Sequence, residues 1–343
     1  MLEEMRDVSL LSHRRHFKLI ENTNYMKNIP DIPKEILDAS SRGKLIIFVG
    51  AGVSRIIGCP SWREFAEKYL KDLLEKKIIN YYEFSHLQNE EPRKLLSICL
   101  KIYKEYNLIP PKTGDILKAD EIKLIKYPIY DDLYSFNAIY LTTNYDEYLD
   151  KTANKAYRDF ISRQESSNEA RDPIDSKRDY RIVSAKDDLL VSELKNRTII
   201  HFHGSAENES DLVVTIVDYM NHYVKDSKPA VLLEEVFKSY TVLFVGYGLE
   251  EYEILEFMIN KASVVPEVIQ HYMLYPVFKT ESQLLKFQET YYADLGIKLI
   301  PYPKDEHGYE QLSTVINEWA KQIGPIARPQ MYYDKIKLID EVI

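Results

Sequence analysis

Cysteine is scarce in this chain, since only Cys59 and Cys99 occur among its 343 residues and they lie far apart. Two cysteines cannot build a disulfide framework or a four-cysteine zinc site, so we expect neither disulfide bridges nor zinc. Such sparing use of cysteine also fits a reducing compartment. The sequence therefore predicts a cytoplasmic protein that does not depend on cross-links.

Long apolar runs and a positive net charge are also missing. No apolar stretch approaches the roughly 20 residues of a membrane helix, and the N-terminus lacks the apolar core of a signal peptide. The formal net charge is −9, whereas nucleic-acid binding needs a basic surface. We therefore expect neither a membrane nor nucleic acid as the main partner.

Apolar, strand-like runs alternate with longer segments of helical periodicity along most of the chain. Such alternation is typical of a mostly parallel sheet that helices cover on both faces. The sequence thus predicts an α/β protein with a Rossmann-like, mostly parallel sheet and a helical insertion. The predicted strands are Leu45–Val49, Ala138–Leu141, Tyr180–Val183, Thr198–Phe202, Leu212–Ile216, Thr241–Val245, Tyr272–Phe278 and Ile297–Ile300.

Changes in composition divide the chain into three predicted parts. Residues 1–35 form a polar N-terminal arm, and residues 36–325 form the α/β domain with a helical insertion at about 63–136. Residues 326–343 form a tail that could lead into a further domain.

Local signals predict where several helices begin and end. Ser61 and Glu64 are spaced as a capping box ahead of a helix that starts near Trp62. The charged, serine-rich segment 162–179 predicts a loop or insertion. Other predicted helices cover residues 33–42, 147–160 and 309–323.

Four predicted strands end in polar or glycine-rich sequences. Ligands of open α/β sheets bind beyond the carboxyl ends of the strands. If the strands are parallel, the four ends lie along one edge and converge on one crevice. They are Gly50-Ala51-Gly52-Val53-Ser54, Thr142-Thr143-Asn144-Tyr145-Asp146, His203-Gly204-Ser205 and Gly246-Tyr247-Gly248.

The first of these ends predicts a phosphate-binding turn, because bare backbone N–H groups at a helix start favour an anion. It departs from the dehydrogenase fingerprint, which needs a third glycine where Arg55 stands and an acidic residue about 20 positions later. The next predicted strand starts only at Ala138, and its end reads Thr142-Thr143-Asn144 instead of carrying the acidic residue. A dehydrogenase is therefore disfavoured, and a glycine turn without a ligand is the alternative.

Polar side chains at the second and third ends suggest chemistry at a ribose. Asn144 could bind a ribose hydroxyl or hold a water, and Asp146 could bind the ribose or only cap the next helix. His203 could act as a general base near neutral pH. His201 lies on the same strand face and is expected to be buried. A metal site at the two histidines is the alternative, and it lacks an obvious third ligand.

Taken in order, the four motifs resemble the sirtuin fold over roughly residues 36–325. The loop Gly58-Cys-Pro-Ser-Trp-Arg63 is similar to the sirtuin Gly-Ile-Pro-Asp-Phe-Arg loop over the nicotinamide end. The closer similarity is to bacterial sirtuin-like NAD hydrolases, including the defence-associated sirtuins. Two departures point away from a protein deacylase. The chain cannot form a four-cysteine zinc ribbon, and Ser61-Trp62 stands where sirtuins carry Asp-Phe.

This resemblance implies NAD+ as the substrate and a role for each motif. It implies catalysis by Asn144 and His203, with Asp146 in support. The glycine turn at residues 50–54 would hold the diphosphate, the loop ending at Arg63 would close the nicotinamide side, and the last glycine turn would face the adenosine. The implied NAD+-binding residues are Gly50, Ala51, Gly52, Ser54, Trp62, Arg63, Thr143, Gly204, Gly246, Tyr247 and Gly248.

Three functions from different classes stay open. The first is an NAD+ glycohydrolase that releases nicotinamide and ADP-ribose and depletes NAD+ in anti-phage defence by abortive infection. The second is an NAD+-dependent protein deacylase, and the third is a non-catalytic module that binds NAD+ or ADP-ribose. Because unregulated NAD+ cleavage would kill the host, the resemblance implies gating by homo-oligomerisation, by fused C-terminal repeats or by a partner such as a hexameric ATPase, with a phage protein as a candidate trigger.

Overall fold

The computed structural model describes residues 26–153, 181–187, 194–248 and 270–323. Within these ranges one seven-stranded sheet is present, and every neighbouring pair of strands is parallel. This confirms the predicted α/β class. The strands are β1 (Leu45–Val49), β2 (Ile139–Thr142), β3 (Arg181–Ser184), β4 (Thr198–His201), β5 (Thr241–Val245), β6 (His271–Val277) and β7 (Ile297–Pro303), in the order β3-β4-β2-β1-β5-β6-β7 across the sheet.

Strand β1 lies inside the sheet and contributes to both halves of the hydrophobic core. All five of its residues are buried. Because successive side chains of a strand point to opposite faces, its odd-numbered residues enter one hydrophobic cluster and its even-numbered residues enter the other. A strand that is buried on both faces is continuously apolar, which is why this run is recognisable in the sequence.

Helices cover both faces of the sheet. Helical residues 311–323 and the helix Lys34–Ser41 pack on one face of the sheet. The helices Ser227–Ser239 and Ser282–Ala293 pack on the other face. Residues 148–153 are also helical, and Asn221–Lys225 forms a π-helical turn. The remaining helices are α1 (Lys34–Ser41), α2 (Ala51–Ile56), α3 (Trp62–Glu75), α4 (Tyr81–Leu87), α5 (Pro92–Glu105), α6 (Thr113–Ile116), α7 (Glu121–Lys126), α8 (Ile129–Leu133), α9 (Ile216–Met220), α10 (Ser227–Ser239) and α11 (Ser282–Ala293), with 3₁₀ turns at Tyr134–Phe136, Glu209–Asp211 and Gly308–Glu310.

Helices α3, α4 and α5 form a helical module, residues 62–105, with a hydrophobic cluster of its own. The predicted capping box is present at its start, where Ser61 and Glu64 bond each other's backbone amides. Tyr145 and Val214 also belong to the cluster. Because these two residues follow strands β2 and β4, the module is packed against the carboxyl edge of the sheet.

Strand β1 is also the point at which the chain changes direction across the sheet. Strands β2, β4 and β3 lie on one side of it and β5, β6 and β7 on the other. Open α/β sheets bind ligands at such a switch point. The turns after β1 and β5 touch there, because a Cβ at Gly50 or Gly52 would lie 2.5 or 2.6 Å from the carbonyl oxygen of Gly246.

The prediction of a strand over Leu212–Ile216 is wrong. Residues 212–214 form no strand, and helix α9 begins at Ile216. The β-branched residues of this segment favour a strand, but Thr215 and Asp218 form a capping box that starts a helix instead. The amide of Val213 donates to the carbonyl of His203.

Several predicted segments lie outside the described residues. They include the insertion at 162–179, the tail at 326–343 and most of the N-terminal arm, of which only residues 26–35 are described. The helix predicted over 147–160 is described only at 148–153. Across the described ranges, none of the helices has the length and apolar character needed to cross a membrane.

We expect Gly246→Ala to destabilise the protein more than Gly308→Ala. Both glycines have left-handed φ angles, +62° and +59°, so alanine costs about 1–2 kcal/mol of backbone strain at either position. Only at Gly246 would the new Cβ also lie 2.6 Å from a backbone nitrogen, that of Val53. At Gly308 the nearest atom, at 3.3 Å, is a carboxylate oxygen of the flexible Glu310 side chain.

Urea unfolding measures this difference. Overpacking adds about 1–3 kcal/mol, and the free energy of unfolding should fall by that much more in Gly246→Ala than in Gly308→Ala. Equal losses in the two variants would contradict the close contact between the turns.

Candidate active site

A cavity of about 810 Å³ lies at the carboxyl edge of the sheet, beside the helical module. All four polar strand ends contribute to its lining, through Ser54, Asn144, His203 and Gly246 among others. Its volume falls in the range of small-molecule and cofactor sites, about 300–1,000 Å³. The four motifs that are separated in the sequence therefore meet at one cavity.

The glycine turn after β1 is packed tightly against the turn after β5. The amide of Gly50 donates to the carbonyl of Val245 (2.9 Å), and the amide of Gly52 donates to the carbonyl of Gly246 (2.8 Å). The amide of Val53 donates to the carbonyl of Gly50 (3.1 Å), so at least three amides of the turn are engaged within the protein. The turn faces the cavity through Ala51, Gly52 and Ser54, whereas Gly50 serves the contact between the turns.

Ser54 is the centre of a buried polar network at the cavity. Its hydroxyl donates to Oδ2 of Asp146 (2.7 Å) and accepts from Nδ2 of Asn144 (2.9 Å). The hydroxyl of Tyr130 lies 3.0 Å from Oγ of Ser54. Because Nδ2 is held by Ser54, the amide of Asn144 has a fixed orientation, and its oxygen Oδ1 is the atom suited to accept a hydrogen bond from a ligand.

The backbone around Asn144 is fixed as well. The backbone N–H of Asn144 donates to Oγ1 of Thr142 (3.0 Å), and the Thr142 hydroxyl donates to the carbonyl of Val49 (2.9 Å). The bonds join the carboxyl ends of β1 and β2, so the position of Asn144 depends on the central strand.

Asp146 is buried, with 7% of its surface exposed. Burial raises the pKa of its carboxyl, although hydrogen bonds from Ser54 and from the amide of Tyr148 act in the opposite direction. The bond from Tyr148 (3.3 Å) caps the helix at residues 148–153. Asp146 therefore serves both the cap and the Ser54 network, and it lines the cavity.

His201 and Asp150 form a buried pair behind the cavity. Nε2 of His201 lies 2.9 Å from both carboxylate oxygens of Asp150. Burial lowers the pKa of His201, but the hydrogen bond and the negative charge of Asp150 outweigh it, and the pKa is raised overall. The contact between His201 and Asp150 joins the end of β4 to helical residues 148–153. It therefore supports the loop that carries Asn144.

His203 lines the cavity with 1% of its surface exposed. Its Nε2 lies 2.7 Å from the hydroxyl of Tyr223. Burial lowers the pKa of His203 well below its usual value, and the electrostatic influence of His222 and Arg93 acts in the same direction. The imidazole is therefore neutral near pH 7, which is the form that can accept a proton.

The helical module contributes an aromatic and a cationic side chain to the cavity. Trp62 stacks on Phe65, with ring centroids 5.5 Å apart. The guanidinium of Arg93 lies 3.6 Å from the ring centroid of Tyr219. Arg63 takes a different course: it donates to backbone carbonyls in the loop between α4 and α5 and does not line the cavity. The structure thus places Arg93, and not Arg63, at the cavity.

Three of the residues predicted from the sequence lie away from the cavity lining: Gly50, Arg63 and Gly204. Gly204 has a φ of +82°, and a Cβ there would lie 2.7 Å from the carbonyl oxygen of Asp211, so it serves a tight turn. The predicted residues that do line the cavity are Ala51, Gly52, Ser54, Trp62, Thr143, Asn144, Asp146, His203, Gly246, Tyr247 and Gly248.

Sequence reasoning misses four residues that hold or line the site: Tyr130, Asp150, Arg93 and Tyr223. None of them belongs to a strand-end motif. Tyrosine in particular carries little signal, because the chain has 27 of them. Their roles become visible only when distant segments are brought together.

The described ranges contain no group of three His, Cys, Asp or Glu side chains able to hold a metal ion. Cys59 and Cys99 are buried free thiols. Burial raises the pKa of both thiols, that of Cys99 to about 12.

An open parallel sheet with a cavity at its switch point is the arrangement in which doubly wound α/β proteins bind their ligands. Residues 138–300, from β2 into β7, match the SIR2-like domain family. The chain is also 26% identical over 234 residues to "Defense-associated sirtuin 2" of Bacillus subtilis, an alignment that covers 66% of this chain and 20% of that protein. The chain thus spans about a fifth of the length of the curated relative that it matches. Together, these two matches support a defence-associated sirtuin-like domain in this chain.

We expect Asp150→Asn to destabilise the protein most at low pH. A histidine whose pKa is raised by folding contributes stability that is fully present below its unfolded-state pKa, about 6.5, and is lost as the pH rises through the folded-state pKa. Removing one partner of a buried pair costs about 3–5 kcal/mol.

Urea unfolding is compared at two pH values, one of about 6, below the unfolded-state pKa, and one of about 9, on the alkaline side where the folded imidazolium loses its proton. The loss in unfolding free energy should be larger at the lower pH. Asp31→Asn, which removes an exposed partner of Lys27, should have little effect at either pH. An equal loss for Asp150→Asn at both values would mean that the His201 imidazolium does not depend on Asp150.

Proposed function

We propose that this chain hydrolyses NAD+ to nicotinamide and ADP-ribose and acts as the NAD+-depleting effector of an anti-phage defence system. One observation carries the proposal: Asn144 and His203, from two different strand ends, line the same cavity as the glycine turns after β1 and β5. A fixed carboxamide and a neutral imidazole suit chemistry at a ribose near neutral pH. The name of the Bacillus subtilis relative supports the role in defence.

The chemistry of NAD+ defines what the site must do. The nicotinamide ring is cationic in the substrate and leaves as a neutral molecule, so it needs little help from an acid. Cleavage passes through an oxocarbenium-like state at the ribose, as in glycoside hydrolysis. The protein must therefore orient the ribose, shield its reacting carbon and admit one water.

Asn144 and His203 take the two central roles. Oδ1 of Asn144 accepts a hydrogen bond from a ribose hydroxyl or from the water, while Ser54 holds Nδ2 at 2.9 Å. His203 accepts the proton from the ribose hydroxyl or from the water, because burial keeps its ring neutral. Asp146 acts in support, since it accepts from Ser54 at 2.7 Å and fixes the network.

The remaining lining residues divide between the parts of NAD+. Ala51, Gly52 and Ser54 would lie along the diphosphate, with Thr143 beside them. Trp62 would cover the nicotinamide side. Gly246, Tyr247 and Gly248 would face the adenosine side, and Gly50, Gly204 and Arg63 would act through the turns and loops that they hold.

We expect Asn144→Ala and His203→Ala each to abolish nicotinamide release while the fold is retained. A general base alone contributes about 10²–10⁴-fold to a rate. The rate that remains in each variant should therefore be at least about 100-fold below that of the wild type. Asn89→Ala and His86→Ala remove the same residue types from exposed positions on the helical module, and both should keep the wild-type rate. Circular dichroism checks that all four variants fold.

Product analysis separates the three candidate functions. Nicotinamide with free ADP-ribose indicates hydrolysis, whereas O-acetyl-ADP-ribose formed from an acetylated peptide would indicate a deacylase. NAD+ that binds but stays intact would indicate a non-catalytic module. Full turnover in Asn144→Ala or His203→Ala would contradict the catalytic assignment.

Regulation is part of the proposal, because unrestrained NAD+ cleavage would kill the cell that makes the enzyme. The activity would be gated by homo-oligomerisation, by a hexameric ATPase partner or by a phage protein. The cleavage assay is therefore run with and without a candidate phage protein or ATPase, and the oligomeric state is measured by light scattering under the same conditions.

A further inference from the structure

Basic side chains outnumber acidic ones in the lining of the cavity, although the chain as a whole carries a formal net charge of −9. One of the acidic residues, Asp146, is buried and bound to Ser54, and burial raises the pKa of its carboxyl. A cleft whose walls carry an excess of one sign attracts a ligand of the opposite sign. The lining therefore favours an anionic ligand. Its basic residues are Arg55, Arg93, Lys123 and Lys304, and its acidic residues are Glu91, Asp146 and Glu310.

Arg55 is the basic lining residue that lies beside the glycine turn after β1. It belongs to helix α2, which follows this turn. Ala51 and Gly52 lie four and three residues before it, and residues at this spacing share one face of a helix. All three residues line the cavity. The face of α2 that borders the cavity at the turn therefore also carries a guanidinium.

The guanidinium of Arg55 is available to a ligand. The residue is exposed, and no carboxylate of the described ranges forms an ion pair with it. The pKa of Glu64 is lowered mainly by its hydrogen bonds with Ser61, and the charge of Arg55 acts in the same direction. Glu64 is thus engaged by the capping box. The turn Gly308–Glu310 packs against α2 without neutralising Arg55.

The backbone of the glycine turn has little capacity left for an anion. The amides of Gly50 and Gly52 donate to carbonyls of the β5 side, and the amide of Val53 donates to the carbonyl of Gly50. Helix α2 has only six residues, and a helix dipole is the sum of its aligned peptide units. A phosphate at this turn therefore needs a charged side chain beside it, and Arg55 lies in the right place.

Lys304, directly after β7, is held differently. Its Nζ lies 4.5 Å from the ring centroid of Phe278 and 5.0 Å from that of Tyr309. A lysine ammonium acts on phosphate as a point charge, whereas the planar guanidinium can bind two phosphate oxygens at once. Arg55 thus combines the position beside the turn with the geometry that suits a phosphate. Lys304 and Lys123 add positive charge to the same cavity.

We propose that Arg55 is a specificity-determining residue whose guanidinium binds the diphosphate of the dinucleotide at the cavity. This inference rests on the proposed function in one respect, that the ligand is NAD+ or its product ADP-ribose. It assigns the neutralisation of the diphosphate to a side chain, while the glycine turn supplies the space in which the phosphates lie. Loss of this side chain should therefore weaken binding without impairing the chemical step.

Calorimetric titration with ADP-ribose measures the contribution of Arg55 without any need for cleavage. Arg55→Gln should weaken binding by about 10- to 100-fold, the range of a hydrogen bond to a charged group. Arg55→Lys should restore only part of the affinity, because it keeps the charge and loses the planar fork. Arg42→Gln is the matched control, since Arg42 is exposed at the end of α1 and does not line the cavity. It should keep the wild-type affinity.

Salt dependence distinguishes a charge contact from a merely structural role. Added sodium chloride screens exposed charges, so the affinity of the wild type for ADP-ribose should fall more steeply with salt than that of Arg55→Gln. Thermal unfolding is followed in parallel, because a structural role would lower stability and leave the salt dependence unchanged. Unchanged affinity in Arg55→Gln, or equal salt dependence in the two proteins, overturns the proposal.

Kinetics with NAD+ separate the failure of this inference from that of the proposed function. Arg55→Gln should raise KM by about 10- to 100-fold and change kcat by less than about threefold, because the diphosphate is bound equally in the ground state and the transition state. A lower kcat at an unchanged KM overturns the assignment. If the wild type binds ADP-ribose but leaves NAD+ intact, the proposed hydrolysis fails, and the titrations still decide the role of Arg55. If the wild type does not bind ADP-ribose, both fail.

Discussion

The candidate site depends on the contact between the turns that follow β1 and β5. The amide of Gly52 donates to the carbonyl of Gly246, and no side chain fits between the two turns. Because β1 lies where the chain changes direction across the sheet, this contact brings the two halves of the sheet to one cavity. The glycines thus have a structural reason that is independent of any bound phosphate.

Two sets of buried polar contacts then fix the residues proposed to act on the substrate. Ser54 holds the amide of Asn144 on one side of the cavity, and Tyr223 holds the imidazole of His203 on the other. In both cases one polar atom of the side chain is held by a hydrogen bond within the protein, which fixes the orientation of the side chain at the cavity. Burial lowers the pKa of His203 and so keeps its ring neutral.

The sequence predicts those features that depend on short-range patterns. Strand β1 and the Ser61 capping box are recognisable because burial on both faces and local hydrogen bonding leave direct marks in the sequence. The β-branched residues around Thr215 predict a strand, but a local capping box starts a helix there instead. Arg93 and Tyr223 could not be predicted, because their positions at the site depend on how the helical module and the π-helical turn pack against distant strands.

The proposed function requires that water attacks the ribose of NAD+ at this cavity. The most direct measurement is incubation of the protein with NAD+ in ¹⁸O-labelled water, followed by mass spectrometry of the products. We expect free nicotinamide and ADP-ribose that carries one ¹⁸O atom at the ribose carbon from which nicotinamide departs. Intact NAD+ under every activating condition, or an acylated ADP-ribose as the product, would contradict it.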